Sequence, residues 1–212
     1  MSAAREILTL YAVTDRRWCG EQSLKEQVEA AIKGGVTTVQ LREKDMNDED
    51  FLAEAIEIKE VCDEHDVVFI VNDNVDVALK CEADGVHVGQ DDMEVAKVKK
   101  LIPEDMILGV SATNIEEALA AQEAGADYLG VGAVFPTKTK GDAKAVKPRE
   151  LRAICQMVDI PVVAIGGITR RKMLKLAGTG IAGVAVVSAL FSAKNIQNQA
   201  RAMFLLSQQL FG

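Results

Sequence analysis

The sequence predicts an α/β fold, a single (β/α)8 TIM barrel that occupies residues 1–212 as one domain. Three observations predict it. Short β-branched apolar runs alternate with longer amphipathic segments from one end of the chain to the other, which is the pattern of a parallel sheet. The alternation resolves into eight matched strand–helix units, with a repeat of about 26 residues that suits a barrel. The composition, 49% hydrophobic and 26% charged over 212 residues, belongs to a globular chain able to bury a full core. An open doubly wound sheet is the competing architecture. It needs a reversal of strand order that periodicity does not display, and eight matched units favour closure.

Taken in order, the candidate strands are Ile7–Asp15, Val36–Lys44, Val67–Asp73, Gly85–Gln90, Met106–Ala112, Ala126–Phe135, Ile160–Ile168 and Gly180–Ser188. Each is followed by a helical pattern: Ser23–Lys33, Asn47–His65, Val75–Glu82, Met93–Leu101, Asn114–Ala124, Lys147–Met157, Arg171–Ala177 and Asn195–Phe211. Ser23, Asn47 and Asn114 each offer a capping oxygen with an acidic or amide residue close behind. Gly34-Gly35, Gly125 and Gly178 fall where a helix must end in a left-handed turn before the next strand.

Charge and cysteine usage exclude several classes of function. With 24 basic against 32 acidic residues the formal charge is −8, so a non-specific grip on nucleic acid or an anionic membrane is repelled, and an anionic substrate needs a local cationic pocket. Cys19, Cys62, Cys81 and Cys155 are scattered without CxxC spacing, and His65 and His87 are the only histidines. A zinc site is therefore not expected, and the thiols read as reduced. Met1–Leu10 lacks the form of a signal peptide, and no run approaches about 18 uninterrupted apolar residues, so a cytoplasmic protein is expected.

In a barrel, chemistry belongs at the carboxyl ends of the strands. The second strand ends Gln40-Leu41-Arg42-Glu43-Lys44, and period-two alternation sends Gln40, Arg42 and Lys44 to one face, the barrel interior. Two cations on an inward face of an acidic chain suit an anion, although an ordinary charged strand end has the same composition. The next two strands end Val71-Asn72-Asp73-Asn74 and His87-Val88-Gly89-Gln90-Asp91-Asp92. One carboxylate from each tip, Asp73 and Asp92, suffices for Mg2+, which keeps waters and substrate phosphates as its other ligands. Asp91 by itself is read as a helix cap, and His87, inside an apolar alternation, as a core or supporting residue.

The fifth strand puts the hydroxyl of Ser111 at the rim, with no His–acid pair to make it a nucleophile. After the sixth comes Gly130 to Gly141, a lid-like loop that holds two threonines and two lysines between glycines. Lys138 or Lys140 is either solvated loop charge or, beside the threonines, part of a phosphate site. The Gly166-Gly167 pair and Ser188, at the ends of the last two strands, sit where phosphate sites of barrels recur. Two anion sites and one metal site on one face imply two phosphorylated ligands, which points to a transferase more than an isomerase.

With these residues in hand, the chain closely resembles the thiamine phosphate synthase family from Tyr11 through Ser188. The matching blocks are VQLREK at Val39–Lys44, VNDNVDVAL at Val71–Leu79, ADGVHVGQDD at Ala83–Asp92, GVSATN at Gly109–Asn114, ADYLGVGAVFPTKTK at Ala126–Lys140, AIGGI at Ala164–Ile168 and VAVVSAL at Val184–Leu190. The resemblance implies an aminopyrimidine carrying a diphosphooxymethyl group, bound by Gln40, Arg42, Lys44, Asn72, Ser111 and Lys140. It implies Mg2+ on Asp73 and Asp92, and a thiazole phosphate on Thr137, Lys138, Thr139, Gly167, Val187 and Ser188. Arg42, Lys44 and Lys140 are the implied catalytic groups. They would stabilise pyrophosphate as it leaves and a methylene cation forms, which the thiazole nitrogen captures. Asn74 stands where the family more often has arginine, and Gly141–Lys147 is a brief lysine-rich departure. Small-molecule substrates are the expected partners, with no nucleic acid or membrane; a homo-oligomer is compatible with the sequence. A thiazole tautomerase of the same superfamily, or a non-catalytic phosphate-ligand barrel, remains as an alternative.

Overall fold

The computed structural model describes residues 5–137 and 145–212. Eight parallel strands form a closed barrel in sequence order: β1 Leu10–Val13, β2 Thr38–Leu41, β3 Val68–Asn72, β4 Gly85–Val88, β5 Ile107–Ala112, β6 Tyr128–Val131, β7 Val162–Ile165 and β8 Gly183–Val186. Closure is made by β1 against β8, with Leu10 opposite Val184 and Tyr11 opposite Ala185.

The strands are buried on both faces, as a barrel demands. Period two divides them into two cores. Tyr11, Val13, Ile70, Tyr128 and Val163 fill the interior, whereas Leu10, Ala12, Leu41, Phe69 and Val71 pack outward against the helices.

The outer layer comprises α1 Leu24–Lys33, α2 Asp48–Asp63, α3 Val75–Lys80, α4 Val95–Leu101, α5 Ile115–Glu123, α6 Pro148–Met157, the short α7 Arg170–Met173 and α8 Ser188–Phe191, and α9 Ile196–Phe211. The expected caps form. Ser23 and Glu26 make a reciprocal capping box on α1, Asn47 accepts from the Asp50 amide and Asn114 from the Glu117 amide. Gly35, Gly125 and Gly178 take the positive φ expected of them.

The ladders are shorter than the apolar runs that suggest them. The run Gly180–Ser188 contributes only Gly183–Val186 as strand, and Ser188 opens α8 instead of ending β8. The segment expected as Arg171–Ala177 becomes α7 followed by a 3-10 turn, Leu174–Leu176. Asp91 is not a cap: α4 begins at Val95 behind Glu94, with no side-chain cap. All four cysteines are free. Among the described residues no helix is long and apolar enough to cross a membrane.

Candidate active site

The carboxyl ends of the strands open into a cavity of about 400 Å³. Gln40, Arg42, Lys44, Asn72, Asp73, Asp92, Ser111, Thr137, Gly167, Val187 and Ser188 all line it. Lys138, Thr139 and Lys140 lie outside the described residues, as does most of the Gly141–Lys147 stretch.

Beyond β2 the alternation foreseen in the sequence persists. Gln40 is buried in the interior, and the Arg42 backbone N–H donates to Thr14 Oγ1 at 3.0 Å, which fixes the tip. Arg42 and Lys44 face the cavity. Glu43 turns outward, where Arg16 Nε lies 3.5 Å from its Oε2. Burial, then the neighbouring Glu54, pushes the Glu43 carboxyl above its ordinary pKa. The strand thus presents its cations to the cavity and keeps its acid away from an incoming anion.

Asp73 follows β3 in the left-handed region, at φ 65°. Asp and Asn tolerate this conformation better than most residues. Its N–H donates to the His87 carbonyl at 2.8 Å, tying the tips of β3 and β4 together. Its carboxyl shares a hydrogen bond with Asp92, whose Oδ2 accepts from the Gly89 amide at 2.7 Å. Burial first, then Asp92, raises the Asp73 pKa to about 6, while Lys44, with Nζ 4.0 Å from Asp73 Oδ2, and Arg42 oppose the rise.

Among the described residues no group of three or more His, Cys, Asp or Glu side chains could hold a metal. A paired acid fits a Mg2+ ion that takes its remaining ligands from water and phosphate. Asn74, the departure from the family's arginine, caps α3 through the Val77 amide and donates to Asp48 at 3.0 Å.

At the far side, Gly166 and Gly167 take φ +99° and +60°. A Cβ at Gly167 would lie 2.4 Å from the Pro136 carbonyl oxygen, so the turn is pressed against the loop after β6. Packing and the positive φ therefore demand glycine here. Lys172 on α7 donates to the Gly167 carbonyl at 2.8 Å and stands 5.1 Å above the Phe135 ring. Neither Lys172 nor the polar chain formed by Tyr11, Tyr128 and His87 stands out in the sequence, because a lysine in a basic helical run reads as solvated and two tyrosines in apolar strands read as core. Gln90, Thr113 and Glu117 also line the cavity without a sequence signal of their own.

A closed (β/α)8 barrel whose carboxyl rim gathers cations, paired acids and a glycine corner in one cavity is an enzyme built for phosphorylated ligands. Known proteins narrow the class. Residues 10–190 match the family model described as thiamine monophosphate synthase. The chain is 50% identical over 195 residues to a thiamine-phosphate synthase of Clostridium acetobutylicum, covering 92% of each chain. It is 50% identical over 188 residues to that of Methanobrevibacter smithii, covering 89% of this chain and 90% of the relative. A solved thiamine phosphate pyrophosphorylase from Pyrococcus furiosus superposes with a TM-score of 0.91 at 38% identity, over 98% of this chain and 99% of that one. The chain belongs to the thiamine monophosphate synthase family.

Proposed function

We propose that this chain joins a pyrimidine diphosphate to a thiazole phosphate, giving thiamine phosphate and pyrophosphate. The observation that carries the proposal is the convergence of Arg42, Lys44, Asp73, Asp92, Ser111, Thr137, Gly167 and Ser188 on one cavity.

Arg42 and Lys44 bind the diphosphate and, with Lys140 carried over from the family pattern, stabilise charge on the departing pyrophosphate. At an effective dielectric of about 20, a unit pair near 4 Å contributes about 4 kcal/mol before desolvation. Since about 1.4 kcal/mol is tenfold in rate, several such charges placed where the leaving group goes account for much of an acceleration. Gln40, Asn72 and Ser111 hold the pyrimidine. Asp73 and Asp92 hold Mg2+, which when bound neutralises diphosphate oxygens. The glycine corner at Gly167, Val187 and Ser188, with Thr137, Lys138 and Thr139, takes the thiazole phosphate and aims the ring nitrogen at the forming methylene cation. No protein nucleophile is needed, because the second substrate supplies the attacking atom and the site supplies alignment.

The test is incubation of the purified protein with both heterocycles and Mg2+, with mass detection of product. Joined product that requires both substrates and the metal is the expected outcome. Binding of both ligands without turnover would indicate a phosphate-ligand barrel, and turnover of the thiazole alone a tautomerase.

A further inference from the structure

Five polar side chains from five strands form one hydrogen-bonded chain across the barrel interior. Gln40 Nε2 donates to the Tyr11 hydroxyl at 2.8 Å. The Tyr11 and Tyr128 hydroxyls lie 2.7 Å apart. Tyr128 Oη lies 2.9 Å from His87 Nδ1, and His87 Nε2 lies 2.9 Å from Ser111 Oγ. Gln40, Tyr11, His87 and Ser111 all line the cavity, at whose base the two tyrosines are buried at 1% and 2% exposure. Neighbouring strands leave room for the chain. A Cβ at Gly109 would lie 2.2 Å from the Tyr128 ring and 2.5 Å from His87 Nδ1. Burial holds both tyrosine hydroxyls well above their ordinary pKa, so both stay protonated.

The donors fix a direction. An amide nitrogen only donates, so Tyr11 oxygen accepts from Gln40 and its single proton must go to Tyr128. The reverse arrangement would leave a buried hydroxyl proton without an acceptor. The Tyr128 proton then goes to His87 Nδ1, the neutral imidazole carries its proton on Nε2, and Nε2–H donates to Ser111 Oγ. The Ser111 proton is left to point into the cavity. At the other end, an amide whose nitrogen is committed to Tyr11 has its oxygen left for the cavity.

We infer that Tyr11, Tyr128 and His87 are positioning residues that set Ser111 as a donor and Gln40 as an acceptor toward a heterocycle bearing both a ring nitrogen and an amine. This deepens the proposed function and rests on it for the identity of the ligand, but the polarity itself is a property of the protein alone.

The experiment has two arms. Nitrogen NMR of histidine-labelled, ligand-free protein reads the tautomer directly. The chain has two histidines, so a His65→Gln variant assigns the signals. His87 is expected with Nε2 protonated and Nδ1 bare, and that preference should be lost in Tyr128→Phe. A proton on Nδ1 in the parent protein would overturn the inference.

In the kinetic arm, Tyr128→Phe is expected to lower kcat/KM for the pyrimidine diphosphate about tenfold and leave the thiazole phosphate KM unchanged. Placed in a Ser111→Ala background, the same change should cost clearly less, keeping only the part that acts through Gln40. Equal losses in both backgrounds, or equal rises in both KM values, would show a merely structural role. If Tyr128→Phe fails to fold, Tyr11→Phe interrupts the same chain one step earlier. Absence of product from the parent protein would refute the proposed function and leave the tautomer result standing.

Discussion

The carboxyl groups of Asp73 and Asp92 share a hydrogen bond beyond the ends of adjacent strands, and burial together with Asp92 raises the Asp73 pKa to about 6. An acid whose folded pKa exceeds its unfolded value binds its proton more tightly when folded. Its contribution to stability is therefore fully present below about pH 4 and lost as pH rises through about 6. Asp73→Asn removes the charge and keeps a residue that accepts φ 65°. In metal-free protein the variant should be more stable than the parent by about 1 kcal/mol at pH 8, allowing for partial solvent screening, and no more stable at pH 4. Mg2+-dependent turnover should fall to background. Urea unfolding in chelator at both pH values checks the sign, and a stability gain independent of pH would refute the account from burial of the Asp73 charge beside Asp92.

The same titration predicts how metal binding responds to acid. On the proposed function Asp73 lends Mg2+ a carboxylate, so a proton should compete for it below about pH 6, and each further unit should weaken apparent affinity about tenfold. Above about pH 7 the affinity should level off. The Mg2+ dependence of the melting temperature across this range measures it, and a flat affinity from about pH 5 to pH 8 would remove Asp73 from the ligand set.

Which of these groups could be read from the sequence depends on how far apart the interacting residues lie. Ser23 and Glu26 cap α1 from three positions away, and Gln40, Arg42 and Lys44 share a face because a strand alternates, so both were legible. Ser188 reads from sequence as the end of a strand but opens α8, because an apolar run does not show where the ladder of hydrogen bonds stops. Tyr11 and Tyr128 lie 117 residues apart, and only closure of the barrel brings their hydroxyls together. Asp91 has the composition of a cap but lies ahead of a helix that begins at Val95. Local chemistry was visible, and polarity that crosses the barrel was not.

Lys172 joins two walls of the glycine corner, to which the proposed function assigns the thiazole phosphate, donating to the Gly167 carbonyl while standing over Phe135. Lys172→Met keeps much of the stem but removes the hydrogen bond and the cation–π contact, worth about 1–2 kcal/mol together. The thiazole phosphate KM should rise about fivefold to tenfold while the pyrimidine diphosphate KM stays within about twofold. Steady-state kinetics with each substrate varied in turn makes the comparison, and equal rises for both would show that Lys172 serves the whole barrel and not this corner.

Gly167 and Gly178 both hold positive φ, at +60° and +73°, but only Gly167 is crowded. A methyl group at Gly178 would meet nothing within 4 Å, so Gly178→Ala should cost only the left-handed backbone strain, about 1 kcal/mol, with activity unchanged. At Gly167 the methyl would sit 2.4 Å from the Pro136 carbonyl oxygen and 2.7 Å from that of Phe135. Both are main-chain atoms, so the loop after β6 must move and carry Thr137 with it. Gly167→Ala should lose about 2–3 kcal/mol of stability and also raise the thiazole phosphate KM. Urea unfolding and kinetics on the two variants separate strain from crowding, and equal behaviour of both would show that the pressed turn at Gly167 does not set the shape of this corner of the cavity.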